Sequence, residues 1–233
     1  IVGSKARATF TGKPISEGGS EGREEATGFG GSVVFRAIRN DKTLALPDIV
    51  SVAIQGFGNV ASHFAKAITN KQTLVVAVSD SKGGIYSKEG LDIGAVEEYK
   101  NKYGSLKGFP KAQGISNDEL LKLPVDVLVP AALENVFTHE NATSVQAHLI
   151  VELANGPTTM EADQIFAERG IIVVPDILAN SGGVATSYFE WYQNMYSETW
   201  SRDDVLTKLS NIMQEASDAV IKASQKHNTT LRN

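Results

Sequence analysis

Between residues 50 and 175 the chain alternates short, β-prone apolar runs with stretches whose apolar positions recur every three or four residues. The runs predict strands over 50–55, 74–79, 125–130, 149–153 and 171–175. The periodic stretches predict helices over 59–70, 92–103 and 159–169, with an Ala-rich helical stretch after residue 130 and a polar turn over 80–84. Strands that are apolar throughout, separated by helices, belong in a parallel sheet covered on both faces. Right-handed crossovers make such a sheet doubly wound. The flanks differ. An irregular Gly-rich opening leads to a helix predicted over 22–40, and residues 44–48 then run into the first strand. Gly28, Gly30 and Gly31 inside that helix cost propensity, which points to close packing or ligand approach. The tail predicts helices over 184–195 and 203–227, the second capped by Asp203 and Asp204. The fold class is therefore α/β, a Rossmann-type doubly wound, mostly parallel sheet with helical N- and C-terminal extensions.

Composition narrows the function. The chain has 233 residues, enough for a sizeable core, and its 42% apolar and 21% charged content is that of an ordinary globule. A net charge of −5 with scattered Lys and Arg argues against nucleic-acid binding. No apolar run reaches membrane-spanning length and no signal-peptide pattern opens the chain, so a cytoplasmic location without membrane contact is expected. Cysteine is absent, which excludes a disulfide framework, a zinc-thiolate site and a cysteine nucleophile. His63, His139, His148 and His227 lack metal-ligand spacing, so no metal is expected.

The junction of first strand and first core helix reads Gln55-Gly56-Phe57-Gly58-Asn59-Val60-Ala61, a Gly-x-Gly-x-x-Ala turn. Gly56 permits a tight turn, Gly58 lets backbone approach a pyrophosphate, and small Ala61 lets helix pack on strand. Amides at the helix start, with its positive dipole end, then hold the anion. Asp80 ends the second strand, where an acidic side chain accepts hydrogen bonds from an adenosine ribose and repels a 2′-phosphate. A plain turn aspartate is the alternative. Joined to the glycine turn, it favours NAD, with NADP possible because Lys82 can accommodate a phosphate. The turn makes the chain a single dinucleotide-binding domain over 1–233, with a helical lead-in over about 1–47, a core over about 48–183 and C-terminal helices over about 184–233.

Asn155-Gly156-Pro157 and Asn180-Ser181-Gly182-Gly183 each follow a predicted strand, at the sheet edge where ligands of such folds bind. Either asparagine can face a nicotinamide or simply serve a turn. Val184, Ser187 and Trp191 share a helix face; Ser187 is a candidate for a substrate carboxylate or a solvated helix serine, while Glu190 and Trp191 read as packing and surface residues. Hydride chemistry on an amino or keto acid also needs a positioned acid/base, and no lysine here is marked for that role.

Five ordered motifs carry a resemblance: Thr11-Gly12-Lys13-Pro14, Gly18-Gly19-Ser20-x-Gly22-Arg23-x-x-Ala26-Thr27-Gly28, Gln55–Val60, Ala154-Asn155-Gly156-Pro157-Thr158-Thr159, and Pro175-Asp176 through Glu190-Trp191. Together they resemble the C-terminal, cofactor-binding part of the glutamate dehydrogenase family, which includes leucine, phenylalanine and valine dehydrogenases. The resemblance implies cofactor contacts for Thr27, Gly56, Phe57, Gly58, Asn59, Val60, Asp80, Ala131, Asn155 and Asn180, and substrate contacts for Val184 and Ser187. It implies L-glutamate and 2-oxoglutarate as substrates and a homo-hexameric parent. Glu17 and Glu21 depart from the usual apolar residues beside Gly18-Gly19-Ser20, and Phe29-Gly30-Gly31 is an uncommon variant. In the family a preceding domain supplies the catalytic lysine and aspartate, so the expectation is that no catalytic residue lies in this chain, which binds NAD(H) but is incompetent alone. A leucine- or phenylalanine-type domain and a non-catalytic NAD-binding module are the alternatives.

Overall fold

The run VSVAIQ forms β1 (Val50–Gln55) in the middle of a seven-stranded sheet in the computed structural model, which describes residues 6–41 and 46–233. β2 (Thr73–Asp80) and β5 (Val127–Pro130) flank it in parallel, and β6 (Leu149–Val151) and β7 (Ile172–Val174) continue the parallel array. Beyond β2 the direction reverses: β3 (Gly83–Tyr86) is antiparallel to β2, and β4 (Gln113–Ile115) to β3. The resulting order, β4-β3-β2-β1-β5-β6-β7, puts the connections on both faces and leaves β1 and β5 at the point where the winding switches direction.

The pleat sends successive side chains to opposite faces. Val50, Val52 and Ile54 enter one core with Phe35 of α1 (Ala26–Asn40), Phe64 of α2 (Asn59–Ile68), Phe189 of α7 (Gly182–Tyr196) and Leu209 of α8 (Arg202–His227). Ala53 enters the other, with Leu120 of α4 (Asn117–Leu121), Phe166 of α5 (Met160–Glu168) and Phe137. Phe35 and Phe64 meet edge-on at 6.1 Å, both essentially inaccessible to water. Two further helices are α3 (Ile93–Tyr103) and the short α6 (Asp176–Ala179).

Close packing is the reason for the glycines of α1. A Cβ on Gly28 would sit 2.4 Å from the carbonyl oxygen of Val60 on α2, and one on Gly30 would sit 3.0 Å from the Cα of Gly182 on α7. The helices therefore cross backbone to backbone.

Several expectations change. The helix predicted over 22–40 starts only at Ala26, because Gly22 adopts φ +72° inside a turn. The turn predicted over 80–84 contains the start of β3; the short GGIY strand reads as turn residues until β2 pairs with it. The stretch directly after residue 130 is not an α-helix: Asn135 takes φ +51°, Phe137 bridges to Thr158, and Thr138 donates its amide to the Asn141 side chain at 2.9 Å. Burial of Phe137 in the second core holds that segment extended. α8 is capped by Ser201, not by Asp203 and Asp204 as a pair: Ser201 Oγ accepts from the Asp204 amide at 3.2 Å, and the Asp204 carboxylate accepts from the Ser201 amide, a reciprocal box. Residues 1–5 of the lead-in, and 42–45 on its way into β1, lie outside the described residues.

Candidate functional site

At the carboxyl end of β1 the chain turns through Gly56 at φ +94°. A Cβ there would lie 2.8 Å from that of Ala132, so both conformation and space demand glycine. Gly58 differs. Its backbone is extended (φ −85°, ψ −166°), and a Cβ on it would meet no described atom within 4 Å. Its missing side chain leaves open space in front of α2. α3, α4, α5 and α8 begin with a side chain accepting a first-turn amide; α2, like α1, α6 and α7, begins without one. Its first amides thus have neither intrahelical nor side-chain acceptors, the arrangement that receives an anion. Ala61 is fully buried where α2 meets the sheet. Phe57 turns its ring into the core, with the Lys100 ammonium 5.7 Å from the ring centre, so only its backbone faces this turn.

Thr27, Asn59, Val60, Val184 and Ser187 line one open cleft of about 890 Å³ between α1, α2 and α7. The Asn59 amide nitrogen donates to the Glu24 carbonyl at 2.7 Å, fastening α2 to the lead-in. Val184 is largely exposed at 73%. Arg23 also lines this cleft, and its Nη1 donates to Ser187 Oγ at 2.9 Å. Ser187 in turn donates back to the Gly183 carbonyl one turn earlier. The pairing makes Ser187 more than a solvated helix serine.

Glu190 departs most from its sequence reading. Its side chain is fully buried, one oxygen accepting from Lys13 Nζ at 2.6 Å and from the Lys13 amide at 3.2 Å. The other accepts from the Gly12 amide at 2.8 Å and Arg23 Nη1 at 3.3 Å. Burial pushes its carboxyl up, but the Lys13 ammonium and the two amides outweigh burial and hold it below the ordinary carboxylate range. Glu190 is therefore neither surface nor plain packing: it ties the lead-in, Lys13 and Arg23 to α7. Nothing local in the sequence marks this helix glutamate for burial, because its partners Gly12, Lys13 and Arg23 lie 178, 177 and 167 residues away.

Asp80, the last residue of β2, stands apart from that cleft. Its Oδ1 accepts from the Lys82 amide at 2.7 Å and its Oδ2 from the Leu106 amide at 2.8 Å, so the turn role is real whatever else it does. Ala131 follows β5 and donates its amide to the Gln55 carbonyl at 2.8 Å. Asn155 and Asn180 are brought together: Asn180 Nδ2 donates to Asn155 Oδ1 at 2.8 Å, joining the loops after β6 and α6. His63 sits half-buried beside Gly28 at the cleft wall. Among the described residues no group of three His, Asp or Glu side chains could hold a metal ion, and no helix is long and apolar enough to cross a membrane.

Comparison with known proteins adds a separate line. Residues 18–233 match the family model described as Glutamate/Leucine/Phenylalanine/Valine dehydrogenase. A glutamate dehydrogenase of Thermotoga maritima is 48% identical, the match covering 99% of this chain and 56% of that protein. An NADP-specific glutamate dehydrogenase of Synechocystis is 45% identical (97% of this chain, 54% of that one). An NAD-specific one of Clostridioides difficile is 42% identical (100% and 56%). The crystal structure of glutamate dehydrogenase from Peptoniphilus asaccharolyticus superposes with a TM-score of 0.80 at 40% identity, covering 97% of this chain and 53% of that one. A hetero-hexameric glutamate dehydrogenase from Thermus thermophilus, in a leucine-bound form, superposes at 0.86 and 35% identity, covering 95% and 52%. The chain thus spans about half the length of the relatives it matches.

Proposed function

We propose, from the premise that this chain belongs to the glutamate/leucine/phenylalanine/valine dehydrogenase family, that it is the dinucleotide-binding domain of a glutamate dehydrogenase that prefers NAD. The observation that carries this reading is Gly58, whose absent side chain leaves room in front of the uncapped start of α2 at the switch point of the sheet. A pyrophosphate would lie there. The backbone of Gly56, Phe57, Gly58, Asn59 and Val60 would hold it, with Thr27 across the cleft, Asp80 at the adenosine ribose and Ala131 lining the strand end. Asn155 and Asn180, already hydrogen-bonded to each other, would face the nicotinamide half.

Val184 and Ser187 would bind the substrate, and the pairing of Arg23 with Ser187 adds a guanidinium suited to a distal carboxylate. That pairing favours glutamate over leucine or phenylalanine. The parent reaction is reversible oxidative deamination of L-glutamate to 2-oxoglutarate and ammonium, in a hexameric assembly. Bound nicotinamide supplies the hydride acceptor; the residues of this chain bind and orient. No residue here is assigned the acid/base step, so the chain binds NADH without turning over glutamate on its own.

Fluorescence titration tests this directly. NADH should bind saturably and more tightly than NADPH, and this polypeptide alone should oxidise glutamate negligibly. Absence of NADH binding would end the cofactor reading; tighter NADPH binding would end the role given to Asp80. Turnover comparable to a full-length relative would end the claim of incompetence.

A further inference from the structure

Glu152, at the residue following β6, is the most heavily engaged buried carboxylate outside the cleft. Its side chain is fully buried. Oε1 accepts from Thr158 Oγ1 at 2.5 Å and from Arg232 Nη2 at 2.7 Å, and Oε2 accepts from the Asp176 amide at 2.9 Å. Arg232 also donates through Nε to Asp163 of α5 at 3.0 Å. The chain reaches this point because α8 ends at His227, Asn228 caps it in the left-handed region at φ +49°, and the following residues bring Arg232 to α5.

These contacts bracket the asparagine pair. Thr158 ends the loop Asn155-Gly156-Pro157, and Asp176 opens α6, which leads to Asn180. Asp176 Oδ2 accepts from the Gly156 amide at 2.8 Å, so the two loops are also joined directly. One carboxylate thus anchors both segments that carry the pair, and its charge is balanced by a single guanidinium. Burial raises the Glu152 carboxyl above its ordinary range, against the opposing pull of Thr158, Arg232 and the Asp176 amide. A buried anion without its cation keeps its geometry poorly.

We propose that Arg232 is a positioning residue for the nicotinamide half of the cofactor site, acting through Glu152 to hold the Asn155 loop against the turn leading to Asn180. The proposal rests on the reading of that asparagine pair given above. Arg232 touches neither asparagine, so its effect is on where they sit.

The test compares NADH with ADP-ribose, which keeps the adenosine, the pyrophosphate and the second ribose and lacks only the nicotinamide ring. Each is titrated against the whole chain, wild type and Arg232→Ala. Wild type should bind NADH more tightly than ADP-ribose. Arg232→Ala should lower NADH affinity about tenfold, the order of one well-placed hydrogen bond, and leave ADP-ribose affinity within about twofold. Arg232→Lys should recover part of the loss. ADP-ribose binding also reports that the variant is folded; if Arg232→Ala does not fold, Glu152→Gln, which keeps the volume, should show the same selective loss. NADH affinity unchanged, or NADH and ADP-ribose weakened equally, overturns the proposal while leaving the cofactor reading intact. Wild type binding NADH no better than ADP-ribose also overturns it. Wild type binding neither ligand fails the cofactor reading itself, and this proposal with it.

Discussion

Gly58 and Gly28 are the same residue under opposite constraints. At Gly58 a Cβ would enter open space from an extended backbone that any residue adopts; at Gly28 it would press 2.4 Å from a carbonyl oxygen and 2.7 Å from the Phe64 amide nitrogen. Gly58→Ala is therefore expected to leave the thermal midpoint nearly unchanged while NADH affinity falls about tenfold or more, because the methyl group takes the place of the phosphate. Gly28→Ala should instead destabilise by roughly 1–3 kcal/mol through overpacking. Paired melts and NADH titrations check both, and a Gly58→Ala protein that binds NADH normally would remove the pyrophosphate from this turn. The sequence marks both glycines as unusual, yet their reasons are read only from what stands opposite each one. Ser187 is similar: its helix position is legible at once, its Arg23 partner lies 164 residues away and is not.

At the scale of elements, α7 works as a fastening surface. Ser187, Glu190, Gln193 and Asn194 lie at helical spacing and reach Arg23, Lys13, Ser20 and Gly18 of the lead-in. Glu190 should make this attachment acid-sensitive. Its folded carboxyl is held below the ordinary range, so it contributes stability above the unfolded pKa and loses it as pH falls through the depressed folded value. Glu190→Gln should lower stability at neutral pH and flatten the acid limb of thermal midpoint against pH; an unchanged limb would show that Glu190 does not couple the lead-in to α7. Ser201→Ala, which removes one half of the α8 capping box, should cost about 1 kcal/mol in denaturant unfolding. Most long elements are visible as periodicity. The antiparallel strands β3 and β4 and the non-helical stretch after β5 are not, because β3 forms by pairing with β2, β4 by pairing with β3, and the stretch after β5 by burial of Phe137.

Across the whole molecule, the central place of β1 decides where a ligand goes. Connections leave β1 and β5 toward opposite faces, so a crevice opens beside the carboxyl ends where Gly56 to Val60 turn. NADH binding there should stabilise the fold by mass action: at one hundred times its dissociation constant, by about 2.7 kcal/mol. For a chain of this size that is a rise in thermal midpoint of roughly 5–10 °C. A thermal-shift series in NADH checks it, and a midpoint unmoved at saturating NADH counts against the site.

What the sequence determines by itself is what depends on neighbours along the chain: alternating apolar runs and helical periods, the glycine turn that joins β1 to α2, and the family that the ordered motifs indicate. Those features repeat over a few residues, so local physics suffices to read them. The tertiary structure alone decides which distant groups meet. It buries Glu190 under Lys13 and Arg23, sets Asn155 against Asn180, and brings Arg232 to Glu152 across 80 residues. Charges and amides taken out of water must find partners wherever the chain's path places them, and that path is settled by packing two cores on one sheet.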